Sequence, residues 1–415
     1  MQKTSRGERS GLSVSRLRRL NTVLQGYVER DEIAGLVALI HQHGEESHVA
    51  SVGWQDKEAQ IPMRRDTLFR IMSMTKPITS VAALMLVEEG KIRLYDPVDA
   101  WLPELANRMV LRDPYGPLGD VAPASRSITL HDLLTSRLGI GWGEHQLQPI
   151  LLNLLPAPVA KPLGAENAEQ LDPDAWMTRL GKLPLVYEPG THFLYHIAHE
   201  VLGVLIARIT GQPLETFLRE RIFEPLGMVD TSLTMPPEKR SRLAVAYAPA
   251  PEGGLLVVDH PQTTGWTQAP LFPSAGGGLI STADDYQRFG RMLLGKGELD
   301  GIRLLSRKTV EAMTTDHLTP EQHTHPFFDE TDFDGSRMWT NKGYGYGVSV
   351  RTRQIGFGPG VGSFFWPGAL GSTWIADPQE GLMATLMLQL RGAQLPQNSK
   401  IALDFWTMIY QAMID

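Results

Sequence analysis

Ser73 and Lys76 stand three residues apart in Ile71-Met72-Ser73-Met74-Thr75-Lys76-Pro77. On a helix, residues at that spacing share a face, so a hydroxyl and an amine can meet. A serine hydroxyl is a poor nucleophile until an adjacent base takes its proton. Lysine can be that base when burial or a neighbouring cation lowers its pKa enough to keep some amine neutral. The N-terminus of a helix helps further, because its free N–H groups and positive dipole end favour a developing oxyanion. The pattern alone is weak: a chain of this length contains about one such match by composition, and a capping serine beside a solvated lysine is the plain alternative.

The elements that must position these residues follow from periodicity. Apolar residues at Leu17, Leu20, Val23 and Leu24 predict a helix over about Ser13 to Arg30, with Ser13 or Ser15 as N-cap. Gly35–His43 and Glu46–Gly53, around Gly44, predict an antiparallel hairpin. The run Val81–Val87 is apolar on all sides and ends at Gly90, a C′ glycine, while Pro77 sits near the helix start where a missing N–H costs no ladder bond. Residues from about Tyr95 to Gly265 read as helical pieces between Pro-rich loops, including the capped helix at Thr129–Leu134 and Glu200–Thr210 closed by Gly211. The apolar, Pro-broken stretch Leu147–Ala165 reads as a lid. Beyond Gly276-Gly277-Gly278 come a helix over Asp284–Leu294, strands at Tyr344–Arg353, Val361–Trp366, Ser372–Asp377 and Leu382–Leu390, and a final helix at Lys400–Met413. Strands at both ends around a helical middle predict an α+β fold: an antiparallel sheet flanked by helices, built from residues 1–94 and 271–415, with a mainly helical domain inserted at 95–270.

Composition narrows the chemistry. The 415 residues carry 39 Lys plus Arg against 46 Asp plus Glu, a net charge of −7 with no basic tract. Nucleic-acid and anionic-membrane partners demand clustered cations, so neither is expected. Cysteine is absent, which excludes disulfides, thiolate metal sites and a thiol nucleophile. The N-terminal residues lack the apolar segment of about 7–15 residues that marks a secretory signal. No run of roughly 18 apolar residues is present. A cytoplasmic location is therefore the expectation.

Phe69–Thr79 followed by Leu94-Tyr95-Asp96-Pro97-Val98 resembles the serine β-lactamase and penicillin-binding-protein superfamily, nearest its class C-like branch and the family VIII carboxylesterases. Further matches follow in order: Ile128–Thr135, Pro189-Gly190-Thr191-His192-Phe193-Leu194-Tyr195, Phe223–Met228 and Ala275–Leu279. The resemblance spans about Leu17 to Leu390 and implies a β-lactamase/transpeptidase-like fold. It implies Ser73 as nucleophile, with Lys76 and Tyr195 as base and acid, the phenol being brought toward use by the nearby cation. It implies an oxyanion hole of the Ser73 and Ala369 N–H groups. The family's Tyr-x-Asn element falls on Tyr195-His196-Ile197, so Ile197 replaces the asparagine that grips a substrate amide. Its Lys-Thr-Gly element falls on Trp366-Pro367-Gly368, a variant of the esterase branch, which places Trp366, Gly368 and Ile197 among the substrate-binding residues. On a continuous strand Pro367 and Ala369 would face the same side, so a proline there would cost no sheet hydrogen bond if Ala369 faces the cleft.

Two other patterns carry less. His192, His196 and His199 have metal-like spacing, but His192 lies before the helix and no His-Glu-x-x-His occurs, so polar histidines are the expected reading. Glu330–Gly335 resembles half a calcium loop, but Asn341 stands where a bidentate glutamate is needed. No metal and no cofactor are expected. The reading is a serine carboxylesterase acting on small-molecule esters of short- to medium-chain acids, with Phe364, Phe365, Trp366 and Leu147–Leu155 as apolar contacts. The alternatives are a β-lactamase or D-aminopeptidase-like amide hydrolase, an acyltransferase, and a non-catalytic ligand sensor on the same scaffold.

Overall fold

Alternation along one strand shows how the protein is layered. In β1 (Gly35–Gln42), Leu36, Ala38 and Ile40 pack into one apolar cluster and Val37 and Leu39 into another. Successive side chains of a strand point to opposite faces. An unbroken apolar run such as this one therefore marks a strand covered on both sides. The structure, a computed structural model, describes residues 11–163, 170–324, 341–354, 356–392 and 400–414. The expected Glu330–Gly335 loop lies outside the described residues.

The first helix, α1 (Val14–Glu29), leads into β1, β2 (Glu45–Asp56) and the short β3 (Ile61–Pro62). Ser13 occupies the N-cap of α1 but makes no side-chain cap there. After β4 (Phe69–Arg70) the chain turns into α2 (Thr75–Glu88), and α3 (Ile197–Thr210) follows much later. Two strands, β5 (Ala246–Pro249) and β6 (Leu255–Asp259), precede β7 (Ile280–Ser281) and α4 (Ala283–Leu294). The remaining strands are β8 (Lys342–Tyr344), β9 (Ser349–Arg351), β10 (Phe364–Phe365), β11 (Gly371–Asp377) and β12 (Leu382–Gln389), before α5 (Lys400–Ala412).

An eight-stranded antiparallel sheet runs in the order β8-β9-β10-β11-β12-β1-β2-β3. The first strand of the chain thus pairs with the last, with Leu36 opposite Leu388 and Ile40 opposite Ala384. One face is covered by α1 and α5, through Leu17, Leu20, Leu24, Phe405 and Ile409. The other lies against α4 and the main core, to which α2 and α3 contribute. Helix α2 is buried from Thr75 to Leu86, as expected of a helix apolar all round. Gly90 follows it with φ +68°, the conformation of a C′ glycine. Between residues 98 and 267 lie short helices and two small hairpins.

Just before the α2 turn, the Arg70 guanidinium is fully buried, with Nη2 2.6 Å from Asp259 Oδ2. Nη1 also donates to Ala244 O at 2.7 Å, and Thr264 Oγ1 donates to Asp259 Oδ2 at 2.7 Å. Burial pulls the Arg70 pKa down and Asp259 pulls it back up. Breaking such a pair leaves a charge without compensation, whereas replacing both partners by apolar groups removes the need for it. Asp259→Ala is expected to cost about 3–5 kcal/mol in urea unfolding. The double substitution Arg70→Met/Asp259→Leu should recover most of that loss in the same measurement.

Candidate active site

Ser73 lies in a short 3-10 turn, Met72–Met74, that runs directly into α2. The turn is tied down on all sides. Ile71 N donates to Leu279 O at 3.0 Å, Leu279 N to Thr75 Oγ1 at 3.2 Å, and Tyr286 Oη to Met74 O at 2.9 Å. Strand β4 pairs with β7, which holds the turn against the glycine-rich loop before β7. Met72, next to the serine, has φ +49°, a left-handed conformation uncommon outside glycine.

Lys76 is wholly buried one turn on. Its Nζ donates to Ser73 Oγ at 3.1 Å and to Gly276 O at 2.6 Å, and stands 3.3 Å from His196 Nδ1. None of these neighbours is a carboxylate. Desolvation lowers the Lys76 pKa to about 7, against a smaller raising influence from Glu200. A buried ammonium loses the water that favours its charge, so the amine is easily left neutral.

Tyr195 contributes its ring and hydroxyl from the residues before α3. Lys76 Nζ lies over the ring face, 4.5 Å from its centroid. The phenol does not shift as the sequence suggested: burial pushes it up to about 12, and hydrogen bonds with Ser73 and Trp366 only partly offset this. The cation lies over the ring face, and burial withholds the solvent that would favour the charged phenolate. Tyr195 therefore stays a phenol at neutral pH, able to pass or donate a proton, while Lys76 is the group suited to accept one.

Trp366 is buried, and its Nε1 donates to Tyr195 Oη at 3.0 Å. Tyr344 packs edge-on against Trp366 with centroids 5.1 Å apart. The indole thus holds the phenol in place. Gly368 is pressed onto the serine turn: a Cβ there would come within 2.4 Å of Ile71 O. That approach, open only to glycine, carries Ala369 to the serine turn. Among the described residues, neither the Ser73 nor the Ala369 N–H donates to a backbone carbonyl.

Several expectations need correction. The strand ends at Phe365, and Gly368–Gly371 form a turn closed by Gly371 N to Gly368 O at 2.9 Å, with Gly368 N donating to Ser372 O at 2.7 Å. Strand alternation therefore does not relate Pro367 to Ala369; Pro367 costs no ladder bond because it lies beyond the ladder. Ile197, expected among the substrate-binding residues, is buried in the main core as the first residue of α3. Phe364 and Phe365 are buried on opposite faces of the sheet, in the main core and the α1/α5 cluster. The three spaced histidines diverge. His192 stacks on Tyr187, His196 turns to Lys76, and His199 lies 3.4 Å from Ser80 Oγ. Leu155 and Val159, from the segment read as a lid, pack with Met72, and Trp142, Leu163 and Ala369 lie against the same cluster. This gives the site an apolar wall.

Sequence reasoning missed His196 and Glu200 as parts of the site. His196 has φ +73° and ψ −61°, and Ile197 N donates to Tyr195 O at 3.0 Å across it. This is a γ-turn of the strained hand, which costs about 1–3 kcal/mol and persists only where the surroundings impose it. The His196 ring stacks on Trp142, 4.2 Å away and 6° from parallel. The one sequence signal was the four-residue spacing of His196 and Glu200, which the metal pattern obscured.

Comparison with known proteins shows the family of the chain. The model of the family described as Beta-lactamase matches residues 20–403. Protein Rv1367c of Mycobacterium tuberculosis is 41% identical over 365 residues, 86% of each chain. Esterase EstB of Burkholderia gladioli is 31% identical over 407 residues, 89% of each chain. Among solved structures, EstCE1, a hydrolase with promiscuous acyltransferase activity, superposes with a TM-score of 0.78 at 23% identity, covering 95% of this chain and 98% of its own.

The close approach of Gly368 to Ile71 can be tested directly. In Gly368→Ala the added methyl would meet a backbone oxygen, so the turn bearing Ala369 must move. If the Ala369 N–H serves as an oxyanion donor, as the resemblance implies, its loss should cost about 10²–10³-fold in kcat. A fall of that order in the rate of Ser73 acylation, with the melting temperature little changed, is the expected result in stopped-flow kinetics.

Proposed function

We propose that this chain, which belongs to the beta-lactamase family, is a serine carboxylesterase that cleaves small-molecule esters through an acyl-enzyme on Ser73. The observation that carries the reading is the buried Lys76 amine, 3.1 Å from Ser73 Oγ and brought to a pKa of about 7 by desolvation. Ser73 Oγ attacks the ester carbonyl as its proton passes to Lys76 Nζ. The oxyanion is met by the Ser73 and Ala369 N–H groups. Tyr195, held by Trp366, relays the proton from Lys76 to the leaving alkoxide. Water then attacks the acyl-enzyme by the same route in reverse.

Ester rather than amide chemistry is supported by four observations. The relative EstB is named an esterase. Ile197 is buried where an amide-binding asparagine would be wanted, and Trp366-Pro367-Gly368 offers neither a cation nor a side-chain hydroxyl to grip a carboxylate. The apolar wall of Leu155, Val159 and Met72 suits a short- to medium-chain acyl group.

Hydrolysis of p-nitrophenyl butyrate is expected to exceed that of nitrocefin, and a serine-directed phosphonate should label Ser73 in mass spectrometry. Faster nitrocefin turnover, or labelling elsewhere, would overturn the assignment. The pH dependence has a definite sign. Only neutral Lys76 can accept the serine proton, so kcat/KM should fall as pH drops below about 7, the value to which burial brings the amine. A pH–rate profile flat from neutrality to pH 5 would remove Lys76 as the base.

A further inference from the structure

Lys76 has two polar neighbours besides the serine that the reaction uses. A neutral amine carries two hydrogens and one lone pair. Around Nζ stand Gly276 O at 2.6 Å, His196 Nδ1 at 3.3 Å and Ser73 Oγ at 3.1 Å. The carbonyl can only accept. If Nδ1 also accepts, both amine hydrogens are engaged and the lone pair is left facing Ser73, the neighbour with a proton to give. If Nδ1 instead carried the ring hydrogen, it would compete with Ser73 for that lone pair.

The far side of the ring decides between these arrangements. His196 Nε2 lies 3.0 Å from Glu200 Oε1, and both residues are buried. The carboxylate oxygen lies within hydrogen-bonding distance of Nε2, and the pairing holds the Glu200 pKa down while opposing the fall in that of His196. A carboxylate there favours the hydrogen on Nε2 and leaves Nδ1 free to accept. Glu200 is fixed in turn, since Ser274 Oγ donates to Oε1 at 2.6 Å and Gly277 N donates to Ser274 Oγ at 3.1 Å. Only glycine fits at 276, because a Cβ would come within 2.8 Å of Glu200 Oε1 and 3.1 Å of His196 Cε1. Trp142 sets the ring plane by stacking, and the strained γ-turn brings the ring in from the start of α3.

The charged and titratable groups facing the ring are Lys76 from α2, Tyr195 from the preceding residue, and His199 and Glu200 from α3. Burial and the Lys76 charge push the His196 pKa down to about 4 against the pull of Glu200, so the ring stays a neutral acceptor at working pH.

We propose that His196 is a positioning residue that aims the Lys76 lone pair at Ser73, with Glu200 fixing its tautomer. This rests on the reading of Ser73 and Lys76 as nucleophile and base. During acylation the Ser73 hydroxyl proton moves to Lys76 Nζ as the bond from Oγ to the carbonyl carbon forms, and His196 neither gains nor loses a proton.

The test uses p-nitrophenyl butyrate and the full chain. His196→Asn places Oδ1 where Nδ1 stood and tolerates positive φ, while His196→Leu has nearly the same shape and no acceptor. The leucine variant should lose about 10²-fold in kcat, the usual scale for misaligned reacting groups, with KM little changed. The asparagine variant should recover most of that loss. Glu200→Gln removes the charge that raises the Lys76 pKa, so the acidic limb of kcat/KM should move to lower pH while kcat falls. A merely structural role would not move that limb, and the limb decides the matter if His196→Leu fails to fold. Equal kcat in the asparagine and leucine variants, or an unmoved limb in Glu200→Gln, overturns the proposal. Ser73→Ala separates the two readings. If it keeps turnover, the nucleophile assignment fails; if it is inactive while both His196 variants match the parent, only the positioning role fails.

Discussion

Keeping an ammonium out of water is costly, and the site is organised around that cost at Lys76. The lysine stem runs inside a helix buried on all sides, and its amine is met by a carbonyl, an imidazole and a hydroxyl rather than by a carboxylate. A direct carboxylate partner would repay the burial and fix the positive charge, leaving nothing to accept a proton. Glu200 instead stands one imidazole away, close enough to limit the pKa depression and too far to lock the ammonium.

Such an arrangement needs rigid neighbours. The serine turn, the start of α2 and the Ser274–Leu279 loop are sewn together by main-chain and hydroxyl hydrogen bonds, including Thr79 Oγ1 to Ala275 O at 2.9 Å. Across the cleft, Gly368 rests directly on Ile71, so the turn after β10 is registered against the serine turn by contact with its backbone. Strained φ values at Met72 and His196 flank the Ser73–Lys76 pair. The surrounding hydrogen bonds and stacking over-determine both positions, which is the condition for such strain to persist.

Much of the architecture was legible in the chain. The all-apolar runs of α2, β1 and the last long strand mark elements covered on every side, the strands because both faces of the sheet are packed. What misled was local reasoning applied where the chain stops being regular. Pro367 reads as part of a strand that ends two residues earlier, and nothing in Tyr195-His196-Ile197 signals that Ile197 packs into the core as α3 begins. A positive φ at a histidine leaves no mark in periodicity, so the inward turn of His196 could not be read.

Residue identity and spacing by themselves determined that a serine and a lysine share one helical face, that no thiol chemistry is available, and that a sheet is built from both ends of the chain. Tertiary structure decided the protonation and aim of those groups. The Lys76 pKa depends on water excluded by segments more than a hundred residues away, the Tyr195 phenol rises for the same reason, and His196 meets Glu200 only because a γ-turn swings its ring across the start of α3. Short-range pattern carries which groups are present; desolvation is a property of everything packed around them.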